Sequence, residues 1–208
     1  MFAGIVESKQ PILSARTEGK CKRVRMAKPR SWKLSLGESV SVDGICSTVV
    51  ANSSAHFEVE YMPETLMKTT ASSFQMKRIV NIERSLKYGD RIHGHFVMGH
   101  VDSVVRVASI EMQGRSRLVT FSLPRQMSKF VVPRGSVAVN GVSLTVARKE
   151  RGSFAVALIP HTLAITNLEV LQVGDAVNIE CDVMARYGLA AIHQSATVRV
   201  HEKEKRKK

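Results

Sequence analysis

The sequence predicts an all-β fold: two homologous antiparallel β-barrels of Greek-key type in tandem, followed by one helix. Three observations support it. Asp43-Gly44-Ile45-Cys46-Ser47-Thr48-Val49 returns as Asn140-Gly141-Val142-Ser143-Leu144-Thr145-Val146, a spacing of 97 (140 − 43) that also relates Ser39/Ser136, Phe57/Phe154, Pro63/Pro160, Thr65/Thr162, Asn81/Asn178 and Glu83/Glu180. Short alternating stretches are separated by turn signals every ~8–12 residues, the mark of a barrel or sandwich. After Cys181 the pattern changes to helical spacing. A period this long exceeds the ~20–50 residues of a solenoid unit, so each copy is a small domain with its own core. The 208 residues then divide as 1–95, 96–192 and a tail at 193–208.

Taken in order, the apolar Phe2–Val6 predicts an N-terminal strand. Gly4-Ile5-Val6-Glu7-Ser8 corresponds to Gly99-His100-Val101-Asp102-Ser103 at an offset of 95 (99 − 4). Residues 15–33, polar and basic, read as one strand with irregular flanks. Ser39-Val40-Ser41-Val42 alternates with period two, as a half-buried strand does. Asp43-Gly44 is a tight-turn signal into a strand from Cys46 to Val50. Asn52-Ser53-Ser54 turns the chain into the strand His56–Tyr61. Pro63 stops that strand and starts a short helix with proline in its first turn, repeated at Pro160. A last strand at Ile79–Glu83 is matched by Ala176–Glu180. Asp182 to Gln194 places Val183, Tyr187, Ala190 and Ala191 at helical spacing, weakened by Gly188. A closed barrel offers such a helix no partner, which suggests an intermolecular role.

Charged residues make up 24% and hydrophobic ones 44%, ordinary for a globular protein. No stretch approaches the ~18 apolar residues of a membrane span, and the opening Met1–Glu7 lacks the basic and apolar regions of a signal peptide. A cytoplasmic protein without membrane association is expected. Cys21, Cys46 and Cys181 are odd in number and widely spaced, which argues against a disulfide framework or zinc site. Of the net charge of +13, residues 20–33 supply +7 and 199–208 supply +4. The basicity therefore belongs to one segment and one tail. Only Trp32 accompanies it as a stacking group, so a solvated basic surface is favoured over nucleic-acid binding. Arg91 to His100 holds three histidines and two glycines. No carboxylate or thiol stands beside them at ligand spacing, so no metal is assigned. His93 and His95, alternating on a strand, are expected to face outward together.

The start Met1-Phe2-Ala3-Gly4-Ile5-Val6-Glu7, the DGICSTV and NGVSLTV pair, Pro63-Glu64-Thr65-Leu66, Asn81–Leu86, Gly94–Asp102 and Leu158–Leu163 together resemble the riboflavin synthase family of alpha-subunit type, across residues 1 to about 190. The resemblance implies two six-stranded barrels that each bind a lumazine, and a C-terminal helix that associates three subunits. It implies the reaction as well: two molecules of 6,7-dimethyl-8-ribityllumazine exchange a four-carbon unit, giving riboflavin and 5-amino-6-(ribitylamino)uracil, with no cofactor and with lumazine synthase as a possible partner. Carried over by position, one pocket comprises Gly4, Ile5, Val6, Cys46, Ser47, Thr48 and Glu60, Tyr61, Met62, Pro63, Glu64, Thr65. The other comprises Gly99, His100, Val101, Arg134, Ser143, Leu144, Thr145 and Ile159, Pro160, His161, Thr162, Leu163, Ala164.

His100 is the candidate for proton transfer. Ser143 or Cys46 delivers or positions a nucleophile at C7, with a nearby water as the alternative, and Thr48 joins them as a catalytic candidate. Each residue has a plainer counterpart: Cys46 as a small core residue, the threonines as β-formers, His100 as a strand-end surface group. Asp43 and Asn140 are exchanged relative to the family pattern, Arg134 replaces lysine, Ser47 leucine and His93 glycine. Competing readings are a non-catalytic lumazine- or flavin-binding protein of the same superfamily and a basic nucleic-acid-binding barrel.

Overall fold

Residues 1–192 are described by a computed structural model. The expected tail and the last two residues of the expected helix lie outside them. The first half forms β1 (Ser8–Glu18), β2 (Cys21–Ala27), β3 (Ser39–Val42), β4 (Ile45–Asn52), β5 (His56–Tyr61) and β6 (Ile79–Arg84). These close into an antiparallel barrel in the order β1-β2-β5-β4-β3-β6. The second half repeats the winding with β7 (Ser103–Gln113), β8 (Ser116–Ser122), β9 (Ser136–Val139), β10 (Val142–Glu150), β11 (Ser153–Leu158) and β12 (Ala176–Cys181). Helix α1 (Pro63–Lys68) follows β5, α2 (Pro160–Ile165) follows β11, and α3 covers 183–192.

Local chemistry explains the closure. Asp43 and Gly44 both take positive φ (46° and 77°), as do Asn140 and Gly141 (45° and 78°), which gives the two-residue hairpin turn whose twist suits antiparallel strands. Register shifts between Ile12 and Ser14, Val49 and Ala51, Val107 and Ser109, and Val146 and Arg148 mark bulges at matching places. Each bends a long strand so that it serves two sheets. Val40, Val42, Val49, Phe57, Val59 and Ile82 fill the first barrel, and Val137, Val139, Val146, Phe154, Val156 and Ile179 the second.

Two expectations are corrected. Residues 15–33 are not one strand: the chain reverses at Gly19 (φ 62°), so the basic segment is shared between β1, β2 and the following loop. Phe2–Val6 is not a barrel strand either, because its backbone crosses to the other half. Phe2 and Val97 exchange N–H···O bonds of 2.7 and 3.0 Å as an isolated bridge, and Ser143 N–H donates to Gly4 O at 2.8 Å. Val6 lies in the second barrel's core, whereas Val101 packs on the first barrel's. Burial of the Val6 side chain contributes roughly 1.5–3 kcal/mol toward holding the halves together.

The two turns meet at the centre. A Cβ on Gly44 would fall 2.7 Å from Gly141 N, and one on Gly141 would fall 2.8 Å from Gly44 N, so only glycine permits this approach. Around them Asn81 Nδ2 donates to Asn140 O (3.0 Å) and Asn178 Nδ2 to Asp43 O (2.8 Å). The repeated Asn81/Asn178 pair is thus the fastening between barrels.

Candidate functional site

On β4, Ile45, Ser47 and Val49 point into the barrel while Cys46 and Thr48 alternate outward; on β10, Val142, Leu144 and Val146 point in and Ser143 and Thr145 out. The β4–β5 and β10–β11 pairings end at Val49↔Val59 and Val146↔Val156, so Thr48 and Glu60, and Thr145 and Ala157, follow directly beyond the paired stretch on the outer faces. Each barrel therefore carries an outer face of related shape. The short proline-started helix borders it, with Thr65 or Thr162 half-buried at the edge. The faces differ in chemistry: Cys46, Glu60, Met62 and Glu64 on the first stand where Ser143, Ala157, Ile159 and His161 stand on the second.

The crossing segments complete these faces in exchange. Cys46 N–H donates to Gly99 O (2.8 Å), and a Cβ on Gly99 would lie 2.7 Å from Cys46 Cβ. A Cβ on Gly4 would equally lie 2.7 Å from Ser143 Cβ. Gly99, His100 and Val101 consequently join Cys46 and Thr48, and Gly4 and Ile5 join Ser143 and Thr145, the reverse of the grouping expected from position along the chain. His100 is exposed and lines a concavity of about 580 Å³ with Met67, Lys68, Val101, Asp102 and Arg186.

Of the other expected residues, Met62, Glu64, Ile159, Pro160 and His161 are exposed at the helix starts, Ala164 is exposed near the end of α2, and Pro63 is half-buried. Ser47, Tyr61, Val6, Leu144 and Leu163 point into cores, so their contribution to a ligand is confined to backbone groups. Ser47 bonds Ile45 O and the Tyr61 hydroxyl, and burial pushes the Tyr61 phenol beyond its ordinary range. Arg134 is exposed at positive φ (67°), its N–H on Val146 O next to Thr145.

His95 is the residue that sequence reasoning missed. It is buried, not outward-facing, while His93 is exposed. His95 Nδ1 lies 2.7 Å from Ser143 Oγ, its backbone N–H bonds Ala3 O at 3.2 Å, and its Nε2 is buried without a partner. Burial lowers its pKa against the pull of Asp182, so the imidazole is neutral at neutral pH. A neutral ring on a serine hydroxyl is the arrangement that activates an oxygen nucleophile. In the tautomer with the ring proton on Nε2, Nδ1 accepts from the Ser143 hydroxyl and can serve as its base; Cys46 has no comparable neighbour among its described contacts. Gly94 was the available signal: a Cβ there would lie 2.1 Å from Ala3 O, and a glycine between two histidines marks close backbone approach. Among the described residues, no group of three His, Cys, Asp or Glu is placed to hold a metal.

The pattern that defines the lumazine binding domain matches residues 3–85 and again 98–182. Riboflavin synthase of Bacillus amyloliquefaciens is 35% identical over 196 residues, covering 94% of this chain and 91% of the relative. That of Brucella abortus is 39% identical over 194 residues, covering 90% and 96%. The chain belongs to the riboflavin synthase family. Its fold is also that of the lumazine-binding protein LumP: the riboflavin complex of LumP superposes with a TM-score of 0.80 at 23% identity, over 87% of this chain and 99% of that one. The LumP complex with 6,7-dimethyl-8-(1'-D-ribityl) lumazine gives 0.78 at 21%, over 86% and 98%. Within the riboflavin synthase frame, the two domain matches fall on the two barrels and leave out residues 86–97, the stretch that contributes His95.

Proposed function

We propose that this protein is a riboflavin synthase, converting two 6,7-dimethyl-8-ribityllumazine molecules into riboflavin and 5-amino-6-(ribitylamino)uracil. The observation that carries the reading is the pair of outer faces, alike in backbone and unlike in side chains. The reaction requires two copies of one compound to take different parts. The two products together contain every atom of the two substrates, so the four-carbon transfer balances without an oxidant, reductant or group donor. Its 7-methyl protons are already acidic because the ring withdraws electrons. Positioning is the main task left to the protein, and holding two rings in register is worth up to ~7–11 kcal/mol.

On this reading Thr48, Thr65 and Glu60 on one face, and Thr145 and Thr162 on the other, hydrogen-bond the ribityl hydroxyls, while strand backbone groups meet the pyrimidine edge. Ile5, Met62 and Ile159 cover the ring faces. His95 withdraws the proton of Ser143, which attacks C7 or directs a water to it. His100 moves protons on the other face. The subunits form a trimer in the cytoplasm, each active site lying between the first barrel of one copy and the second barrel of its neighbour. Exposed Met184, Tyr187 and Ile192 on α3 support that association. Lumazine synthase, as supplier of the substrate, is a partner consistent with this activity.

The test is direct: incubate the protein anaerobically with 6,7-dimethyl-8-ribityllumazine and follow riboflavin fluorescence with release of the pyrimidine. Equal molar formation of both products is expected. Lumazine binding without either product would make the chain a carrier instead.

A further inference from the structure

Residues 3–5 and 98–100 leave their own barrel to finish the other barrel's face, and each turn rests on one buried carboxylate. Glu180, on β12, accepts N–H bonds from Met98 (2.7 Å), Gly99 (2.8 Å) and His100 (3.1 Å). Glu83, its partner in the repeat on β6, accepts from Ala3 N–H at 2.8 Å; the Gly4 and Ile5 N–H groups lie toward the same carboxyl without closing a hydrogen bond, and its buried Oε2 has no partner. Both are 4% exposed, and neither has a lysine or arginine in ion-pair contact among the described residues. Burying a carboxylate without a cation is costly unless backbone donors surround it. An apolar residue would fill the space more cheaply but would leave the donors of the turn unmet.

The turns lead straight to the chemistry. Gly99, held by Glu180, bonds Cys46 N–H and carries His100; Gly4, which follows the Ala3 N–H that Glu83 holds, bonds Ser143 N–H, while Ala3 O accepts from His95. Both glycines take positive φ (77° at Gly99, 71° at Gly4), which glycine adopts freely, so the turn's place is set by its hydrogen bonds and not by backbone preference. We propose that Glu83 and Glu180 are positioning residues acting across the barrel boundary: Glu83 sets the Ser143–His95 pair through the turn 3–5, and Glu180 sets Cys46 and His100 through the turn 98–100. This rests on the riboflavin synthase reading for its kinetic part, but not for its structural part.

The experiment uses the full-length chain with Glu83→Gln and Glu180→Gln, whose amide keeps the volume but turns an N–H toward backbone donors. Three signals are read: kcat and KM for riboflavin formation, the rate of Cys46 alkylation by iodoacetamide from peptide masses, and the His95 ring nitrogen resonances. Glu83→Gln is expected to lower kcat by about 100-fold, the cost of a ~1 Å misplacement, with KM little changed. It should move the His95 resonances and leave Cys46 alkylation as in the wild type. Glu180→Gln should accelerate Cys46 alkylation by loosening the Gly99 cover, and leave the His95 resonances in place. Signals that move together in both variants, or in neither, overturn the proposal. If a Gln variant does not fold, Glu→Asp at the same position retracts the carboxyl by one methylene and reads the same signals. A wild-type protein that forms no riboflavin overturns the functional reading alone, because alkylation and resonances still report the crossed pattern.

Discussion

Replacing Asp43 by asparagine should stabilise the protein, by an amount that depends on pH in a defined way. Asp43 is fully buried at the barrel junction, where Oδ1 accepts from Asn81 N–H and Asn167 Nδ2 at 2.8 Å each. Oδ2 has no hydrogen-bond partner, and the nearest Arg78 nitrogen is 3.8 Å away. Burial dominates, with Arg78 and the two N–H donors opposing it, and the pKa rises from 3.8 to about 6. The native state therefore holds a proton that the unfolded chain releases between about pH 4 and 6, and stability falls as pH rises through that window. At about 1.4 kcal/mol per unit, the ionised group costs about 3 kcal/mol above pH 6. Asparagine keeps the oxygen acceptor, tolerates positive φ, and already occupies the corresponding place at Asn140 (φ 45°). Asp43→Asn should thus raise the melting temperature at pH 8 by up to ~6–12 °C for a chain of this size, a difference that shrinks toward zero at pH 4. Burial also raises Glu83 and Glu180 to about 7, but they are common to both proteins and cancel in the difference. Thermal melts of both proteins across pH 4–8 decide it. A gap of equal size at both ends, or a lower melting temperature for the variant at pH 8, would refute the assignment of an uncompensated charge to Asp43.

Ser143→Ala removes the hydroxyl on His95 and should slow riboflavin formation by ~10²–10⁴, the usual share of general-base assistance. It also leaves a second ring nitrogen unpaired, at a cost of ~1–3 kcal/mol seen in denaturant melts. Because burial lowers the His95 pKa, turnover should hold at neutral pH and decline as pH falls below the ordinary histidine value of ~6.5; stability is lost across the same descent. His100→Ala should slow turnover while leaving the melting temperature near wild type, since its side chain is exposed and Glu180 meets its backbone. Phe2→Ala empties a fully buried site against Val97 and Ala138 and should cost ~3–5 kcal/mol, measured by chemical denaturation.

The repeat made most of the fold legible. Ser39–Val42 and His56–Tyr61 were readable to the residue because alternation and turn chemistry agree there, and Pro63 and Pro160 announced both short helices. What period and turn signals do not carry is which barrel an extended segment joins. Phe2–Val6 is as β-prone as any strand, yet its hydrogen bonds and Val6 itself go to the other half. His95 escaped for a different reason. One repeat spacing onward (95 + 97 = 192) stands Ile192, so the repeat does not draw attention to the histidine. Its burial depends on Ala3 and Ser143, distant in sequence on either side. Ser47 and Leu144 sit in the same motif as Cys46 and Ser143, but the strand's period of two turns them inward.

A duplicated fold by itself offers two equal faces, and two equal faces would hold two lumazines in equivalent states. The transfer needs them inequivalent, since one gives up four carbons and the other receives them. In this chain the frame stays symmetric wherever it holds the barrels together, at Gly44 and Gly141, Asn81 and Asn178, Glu83 and Glu180. Symmetry is broken where side chains reach the faces: Cys46 against Ser143, Glu60 against Ala157, His100 against Ile5, and a buried histidine ring on the Ser143 hydroxyl. The crossing turns make this possible, because each barrel receives its distinguishing residue from the other's chain segment. A change in one turn therefore alters one face while the shared frame stays put.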